Sequence, residues 1–206
     1  MKLYYFPGAC SLSPHIVARE AGVALDLERV DLQARRTASG ADFFGINAKG
    51  VVPALELDNG EVLTENVVIA QYLADLKPES GLAPPHGTFA RYRLQEMLGF
   101  LNSEVHKSYS PLFDPATPDS VRAERKKTLT AHYAWLEKRL MAQPWLVGDR
   151  FTVADAYLFA LTNWASHVGL DLSGFPAVNA LHRRVAARPH VQAALKAEGL
   201  LNAASA

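Results

Sequence analysis

The only cysteine of the 206-residue chain, Cys10, follows a short apolar run, Lys2 to Phe6, and a Pro7-Gly8 turn signal. It stands just ahead of Ser13-Pro14, a pair suited to open a helix with Ser as N-cap and Pro at the first helical position. A thiolate there would meet orphan N–H groups and the positive end of a helix dipole, and both favour the anion. Cys10 reads equally as a small buried apolar group in a loop, and position alone does not separate the two readings. Ser11 is placed to donate to the same anion. Tyr5, at the strand end, is a rival donor that also reads as a core aromatic.

Three further pairs carry polar chemistry. Val52-Pro53 precedes the strand Ala54 to Asp58; a cis bond there would turn the Val52 N–H and C=O toward an extended peptide, whereas a trans proline would simply mark a strand edge. Glu65-Asn66 stands at a helix entrance, where N–H groups suit a carboxylate and the Glu65 side chain suits an ammonium. The pair would hold both ends of an amino acid, or merely cap the helix. His106-Lys107 ends a long helix, with Gly99, Ser103 and His106 on one face; it reads equally as a solvated pair at a helix end, where cations suit the dipole. A glycine inside a helix costs about 1 kcal/mol relative to Ala, which suggests a close approach at Gly99.

Composition narrows what these groups meet. Lys plus Arg and Asp plus Glu are 21 each, giving no net charge and no field for nucleic acid. Hydrophobic content of 49% supports a sizeable core. No stretch reads as a membrane span or a signal-peptide core, and one cysteine makes neither an internal disulfide nor a cysteine zinc site. The expectation is a soluble, cytoplasmic protein without nucleic-acid or membrane partners.

The elements that must position these residues follow from periodicity. Lys2 to Phe6 reads as a strand. The helix from Ser13 runs to Ala21, with Gly22 as its left-handed stop. Val23, Leu25 and Leu27 alternate as a second strand, Gln33 to Gly40 reads as a loop, and Asp42 to Ile46 as a short helix. Asp58-Asn59-Gly60 joins two alternating segments as a hairpin, and a helix runs from Asn66 to Lys77. The first part is therefore β-α-β-α-β-β-α over residues 1–77, with a Pro-containing linker over 78–86. Residues 87–206 read as all-helical: a long helix from Ala90 to Val105, another from Thr117-Pro118 with the stripe Leu129, Tyr133, Leu136 and Leu140, and a third opened by Thr152-Val153-Ala154-Asp155 in capping-box form. Pro176 and Pro189 start further short helices, and the C-terminal end is Ala-rich.

The order of these motifs resembles a glutathione S-transferase of the bacterial beta class, over essentially the whole chain. The carriers are Tyr4-Tyr5-Phe6-Pro7-Gly8-Ala9-Cys10-Ser11-Leu12-Ser13-Pro14, Asn47-Ala48-Lys49-Gly50-Val51-Val52-Pro53-Ala54-Leu55 and Leu63-Thr64-Glu65-Asn66. Ser103-Glu104-Val105-His106-Lys107, Ser110-Pro111-Leu112-Phe113 and Val147-Gly148-Asp149 to Asp155 complete them. The resemblance implies a thioredoxin-like N-terminal domain, an all-helical C-terminal domain carrying the electrophile site, and a homodimer. It also implies a cis Pro53, with Val52 pairing to the cysteinyl part of glutathione, Glu65 meeting the γ-glutamyl ammonium and Asn66 its carboxylate. Arg35 then faces the glycyl carboxylate. Cys10 and His106 lie near the sulfur, Lys107 adds positive potential, and Glu104 reaches toward the partner's ligand.

The implied activity is detoxifying conjugation of glutathione, the co-substrate, to small hydrophobic electrophiles, with no other cofactor and no metal. The electrophile is expected near Tyr109, Phe113 and Trp164. A Cys10-dependent thiol-transferase or peroxidase activity accompanies it. Two alternatives stay open: a non-catalytic ligand-binding protein of the same fold, and a glutathione-dependent isomerase or dehalogenase. The Ser-Ser-Cys-Ser pattern expected of the isomerase is absent at Ala9-Cys10-Ser11. The sequence departs from the resemblance at Asn66, where Ser is usual, and at Gly99, where Asn is usual.

Overall fold

A computed structural model describes residues 1–201; the Ala-rich end beyond them lies outside the described residues. The chain divides into two compact units, one of residues 1–83 joined by the stretch from 187 onward, the other of residues 84–186.

The first unit is built on a five-stranded sheet of β1 (Lys2–Tyr5), β2 (Asp26–Asp31), β3 (Arg36–Thr37), β4 (Ala54–Glu56) and β5 (Val62–Thr64), in the order β3-β2-β1-β4-β5. The central β1 runs parallel to β2, with Lys2 opposite Asp26, and antiparallel to β4, with Leu3 opposite Leu55. Its residues Leu3, Tyr4 and Tyr5 are all buried, as a strand covered on both faces requires. α1 (Leu12–Ala21) packs against α2 (Asn66–Asp75), while Tyr4, Val30, Phe43, Val52 and Ala54 form a separate cluster. The hairpin at Asp58 to Gly60 and the left-handed Gly22 stand as expected.

Several elements differ in detail. α1 begins two residues earlier, at Leu12 after Ser11, so Pro14 is its third residue and not its first; it still falls in the first turn, where its missing N–H costs nothing. The second strand does not take in Val23, because that residue's N–H closes the end of α1 on the Ala18 carbonyl. The helix expected over Asp42 to Ile46 is a single 3₁₀ turn, Phe43–Gly45, whose N–H at Phe44 is accepted by the Asp42 carboxylate. The loop expected over Gln33 to Gly40 contains β3. The last helix, α9 (Pro189–Ala197), packs on α1 instead of remaining with the helical part of the chain. Glu198, just past α9, explains the attachment: its buried carboxylate accepts from the Gly8 N–H at 3.0 Å and from His15 Nδ1 at 2.8 Å. Arg188 and Glu20 add a two-pronged ion pair at 2.7 Å.

The second unit comprises α3 (Phe89–Phe100), a π-helical segment Leu101–His106, α4 (Lys107–Tyr109), α5 (Asp119–Ala142), α6 (Val153–Thr162), α7 (Trp164–His167) and α8 (Pro176–Ala186). Every residue of α6 is buried, which makes it the centre of the bundle. It starts with the expected capping box: Thr152 Oγ1 accepts from the Ala154 N–H, and Asp155 accepts from the Thr152 N–H at 2.9 Å. The apolar stripe of α5 is buried as its spacing requires. Among the described residues no helix is long and apolar enough to cross a membrane.

Candidate active site

In the first unit, Cys10 sits in the turn between β1 and α1, at the positive end of the helix. Ser11 is wholly buried and its hydroxyl spans the turn, accepting from the Phe6 N–H and donating to the Phe6 carbonyl, both at 3.2 Å. That hydroxyl therefore shapes the turn; it is already committed where a donor to an anion was expected. Gly8 takes φ +73°, a conformation that favours glycine, as its N–H turns to Glu198. Arg19 Nε donates to His15 Nε2 at 2.8 Å, so the His15 proton lies on Nδ1 and points at Glu198. The Tyr5 ring lies 6.5 Å from that of His15, and burial raises its hydroxyl above the ordinary tyrosine range.

The Val52-Pro53 bond is cis. The Val52 carbonyl accepts the Cys10 thiol at 3.5 Å, bringing two of the expected site residues together. The preceding turn is tied by Asn47, whose Nδ2 donates to the Val51 carbonyl at 2.7 Å. The Arg35 guanidinium donates to the Gly50 carbonyl and lies 6.0 Å from the Phe44 ring, so this cation is anchored on the same turn. A Cβ at Gly50 would come 2.6 Å from that ring, and the backbone there takes φ +63°, a conformation that favours glycine.

At the start of α2, Glu65 adopts φ +71°, uncommon for a residue with a side chain. Its carboxylate is exposed and pairs with Lys49 Nζ at 2.6 Å; the same ammonium donates to Thr64 Oγ1 at 2.7 Å. Asn66 is buried, and neither its Oδ1 nor its Nδ2 has a partner among the described residues. Two unsatisfied buried polar atoms cost on the order of 1–3 kcal/mol each, a cost that a polar ligand at the helix entrance would relieve.

In the second unit, His106 closes the π-helical segment, a local widening often found at functional positions. Its Nδ1 lies 2.6 Å from the Tyr157 hydroxyl, and its ring packs edge-on to Trp164 with centroids 4.9 Å apart. Burial, and then the Lys107 charge, push His106 down to about 4, so it is neutral at pH 7. Lys107 and Glu104 are exposed; the Ser103 hydroxyl donates to the Glu104 carboxylate at 3.0 Å. Trp164 also meets Tyr109 and Phe113 edge-on, at 5.6 and 5.5 Å. Phe113 is half exposed, whereas Tyr109 is fully buried with its hydroxyl on Tyr133 at 2.9 Å, which makes it core. The close approach inferred at Gly99 is absent among the described residues: a Cβ there meets nothing within 4 Å.

Sequence reasoning passed over Lys49, Tyr157 and Glu198. Tyr157 carried a signal, a hydroxyl in the otherwise apolar run after the capping box. No group of three or more His, Cys, Asp or Glu side chains able to hold a metal occurs among the described residues.

A thioredoxin-like sheet with a cysteine at the first helix and a cis-proline loop beside it, together with an all-helical unit, defines the glutathione S-transferase class. Residues 8–76 match the family described as glutathione S-transferase, N-terminal domain, and residues 100–189 that described as glutathione S-transferase, C-terminal domain. Glutathione S-transferase GstA of Escherichia coli O157:H7 is 46% identical over 97% of this chain and 100% of its own length. The ternary complex of BphK, a bacterial glutathione S-transferase, aligns with a TM-score of 0.96 at 49% identity, over 97% of this chain and 100% of that one. A sphingomonad glutathione S-transferase complexed with glutathione aligns at 0.95 and 49%, over 98% and 100%. The chain belongs to the glutathione S-transferase family and lies close to its bacterial beta-class members.

Proposed function

We propose that the protein binds glutathione in the first unit and activates its thiol for attack on small hydrophobic electrophiles. The observation that carries this reading is the buried Asn66 side chain, unpartnered among the described residues, beside the Glu65 carboxylate: one residue suits the α-carboxylate and the other the ammonium of a γ-glutamyl group. Val52 and Pro53 present backbone to the cysteinyl part, Arg35 offers a cation to the glycyl carboxylate, and Tyr5 and Ser11 shape the turn. Glu104 serves the partner's ligand in a homodimer, and Lys107 adds positive potential. The expected setting is the cytoplasm.

A free thiol has a pKa of about 8.5, and lowering it by about two units needs roughly 2.7 kcal/mol of preference for the thiolate. Hydrogen bonds and the helix dipole at the α1 terminus supply part of that preference. Cys10 adds a second chemistry. Its thiolate attacks the sulfur of oxidised glutathione, forming a Cys10–glutathione disulfide and releasing one glutathione thiolate.

Calorimetric titration with glutathione tests the binding reading. Saturable binding is expected, weakened about tenfold or more in Glu65→Ala, the loss typical of a charge-assisted pair. Absence of binding by the wild-type chain would turn the reading toward a non-catalytic protein of the same fold. A panel of aryl halides, peroxides and mixed disulfides then sorts the chemistry.

A further inference from the structure

The Tyr157 hydroxyl donates to Asn102 Oδ1 at 3.1 Å while lying 2.6 Å from His106 Nδ1. A tyrosine has one proton to give. With that proton on Asn102, its oxygen serves His106 as an acceptor, so the imidazole proton must lie on Nδ1. We infer that Asn102 and Tyr157 are positioning residues that hold His106 in its Nδ1–H tautomer and present Nε2 as a proton acceptor for a thiol. The inference rests on the proposed reading that a thiol is the reacting group.

Three further features suit that role. The edge-on contact with Trp164 and the 6.0 Å approach of the Tyr157 ring restrain the imidazole on two sides. Asn102 and His106 both lie in the π-helical segment, so one irregular turn supplies the acceptor that orients Tyr157 and the imidazole it addresses. Burial keeps the ring uncharged at neutral pH, as an acceptor must be. In the step itself the S–H bond breaks, its electron pair stays on sulfur, and the proton moves to Nε2. The resulting imidazolium keeps its Nδ1–H on the Tyr157 oxygen; it is a strong acid in this buried setting, so it forms as sulfur attacks the electrophile and then gives its proton to water, with no change in oxidation state.

Nitrogen-15 NMR of the histidine rings in the full chain reads the tautomer directly, with the His106 signals assigned by their loss in His106→Gln. The wild type should show protonated Nδ1 and bare Nε2. In Asn102→Leu the Tyr157 proton turns to Nδ1, so the ring proton moves to Nε2; Asn102→Asp, still an acceptor, keeps the wild-type pattern. Tyr157→Phe, the smaller change, should abolish the preference and serves if Asn102→Leu does not fold. An Nε2–H tautomer in the wild type, or an unchanged pattern in Tyr157→Phe, overturns the inference. With saturating glutathione, the shifted tautomer should lower kcat about tenfold while KM stays within about twofold, the mark of an interaction made in the transition state. A kcat unchanged by the shift removes the thiol-acceptor role. If wild type fails to bind glutathione in calorimetry, the functional reading falls, and the NMR still decides the tautomer.

Discussion

Cys10 gives its thiol hydrogen to the carbonyl of Val52 across 3.5 Å, linking the turn before α1 to the cis-proline loop. A thiol is a weak donor, so loss of this bond costs little. Cys10→Ala should therefore keep the fold and retain conjugation of aryl halides. It should also lose the glutathionyl adduct that intact-protein mass spectrometry detects after exposure to oxidised glutathione. Conjugation falling to background in the same variant would instead make Cys10 indispensable to thiol activation.

Glu198 and Gly8 make the second test. The carboxylate is buried and accepts from both the Gly8 N–H and His15 Nδ1. Glu198→Ala removes the acceptor of the buried His15 ring and of the half-buried Gly8 N–H and loosens α9 from α1, at a cost of about 2–4 kcal/mol. The urea midpoint should fall accordingly. Because Gly8 precedes Cys10 in the same turn, reactivity of Cys10 toward a thiol reagent should rise in this variant.

Asp155 is fully buried and takes hydrogen bonds from the Leu146 N–H, the Thr152 N–H and the Thr152 hydroxyl at 2.9, 2.9 and 3.0 Å. Asp155→Ala strands all three donors at the entrance of the central helix, and about 2–4 kcal/mol of stability should be lost. Asp155→Asn keeps one acceptor oxygen and sets its NH2 against a donor, so its melting temperature should fall between those of Asp155→Ala and wild type.

Gly99 gives a prediction of opposite sign. It is exposed in α3, and a Cβ there meets nothing within 4 Å among the described residues. Gly99→Ala should stabilise the chain by up to about 1 kcal/mol through helix propensity alone. An unchanged or lowered denaturation midpoint would mean that another surface covers this position.

These sites differ in how far they could be read from residue types. Gly22, the Asn59-Gly60 hairpin and the Thr152–Asp155 box were legible because each is a local contact set by backbone conformation or by neighbours a few residues away. The short helix at Phe43 was legible, but its 3₁₀ type was not, because a wholly buried aromatic after Asp42 suits either helix type. Glu198 on Gly8 and Tyr157 on His106 span 190 and 51 residues, and no periodicity encodes such pairings. Ser11 was legible as a polar neighbour of Cys10, but the commitment of its hydroxyl to Phe6 depends on how tightly the turn closes.

Stability should depend on pH through two groups of opposite sign. His106 falls from 6.5 to about 4 because its charged form is disfavoured by burial, so between those values the unfolded chain binds more protons. Its contribution to stability is complete above about pH 6.5 and is lost as pH falls toward 4. Asp155 rises from 3.8 to about 6 for the same physical reason, so the folded chain binds more protons in that window, and its contribution is lost as pH rises toward 6. The two slopes oppose each other between about pH 4 and 6 and leave a shallow wild-type profile there. His106→Gln removes the histidine slope, so its urea midpoint should fall on going from pH 4 to 6. Asp155→Asn removes the carboxylate slope, and its midpoint should rise over the same range. Parallel profiles for the two variants would show that neither group titrates as its burial requires.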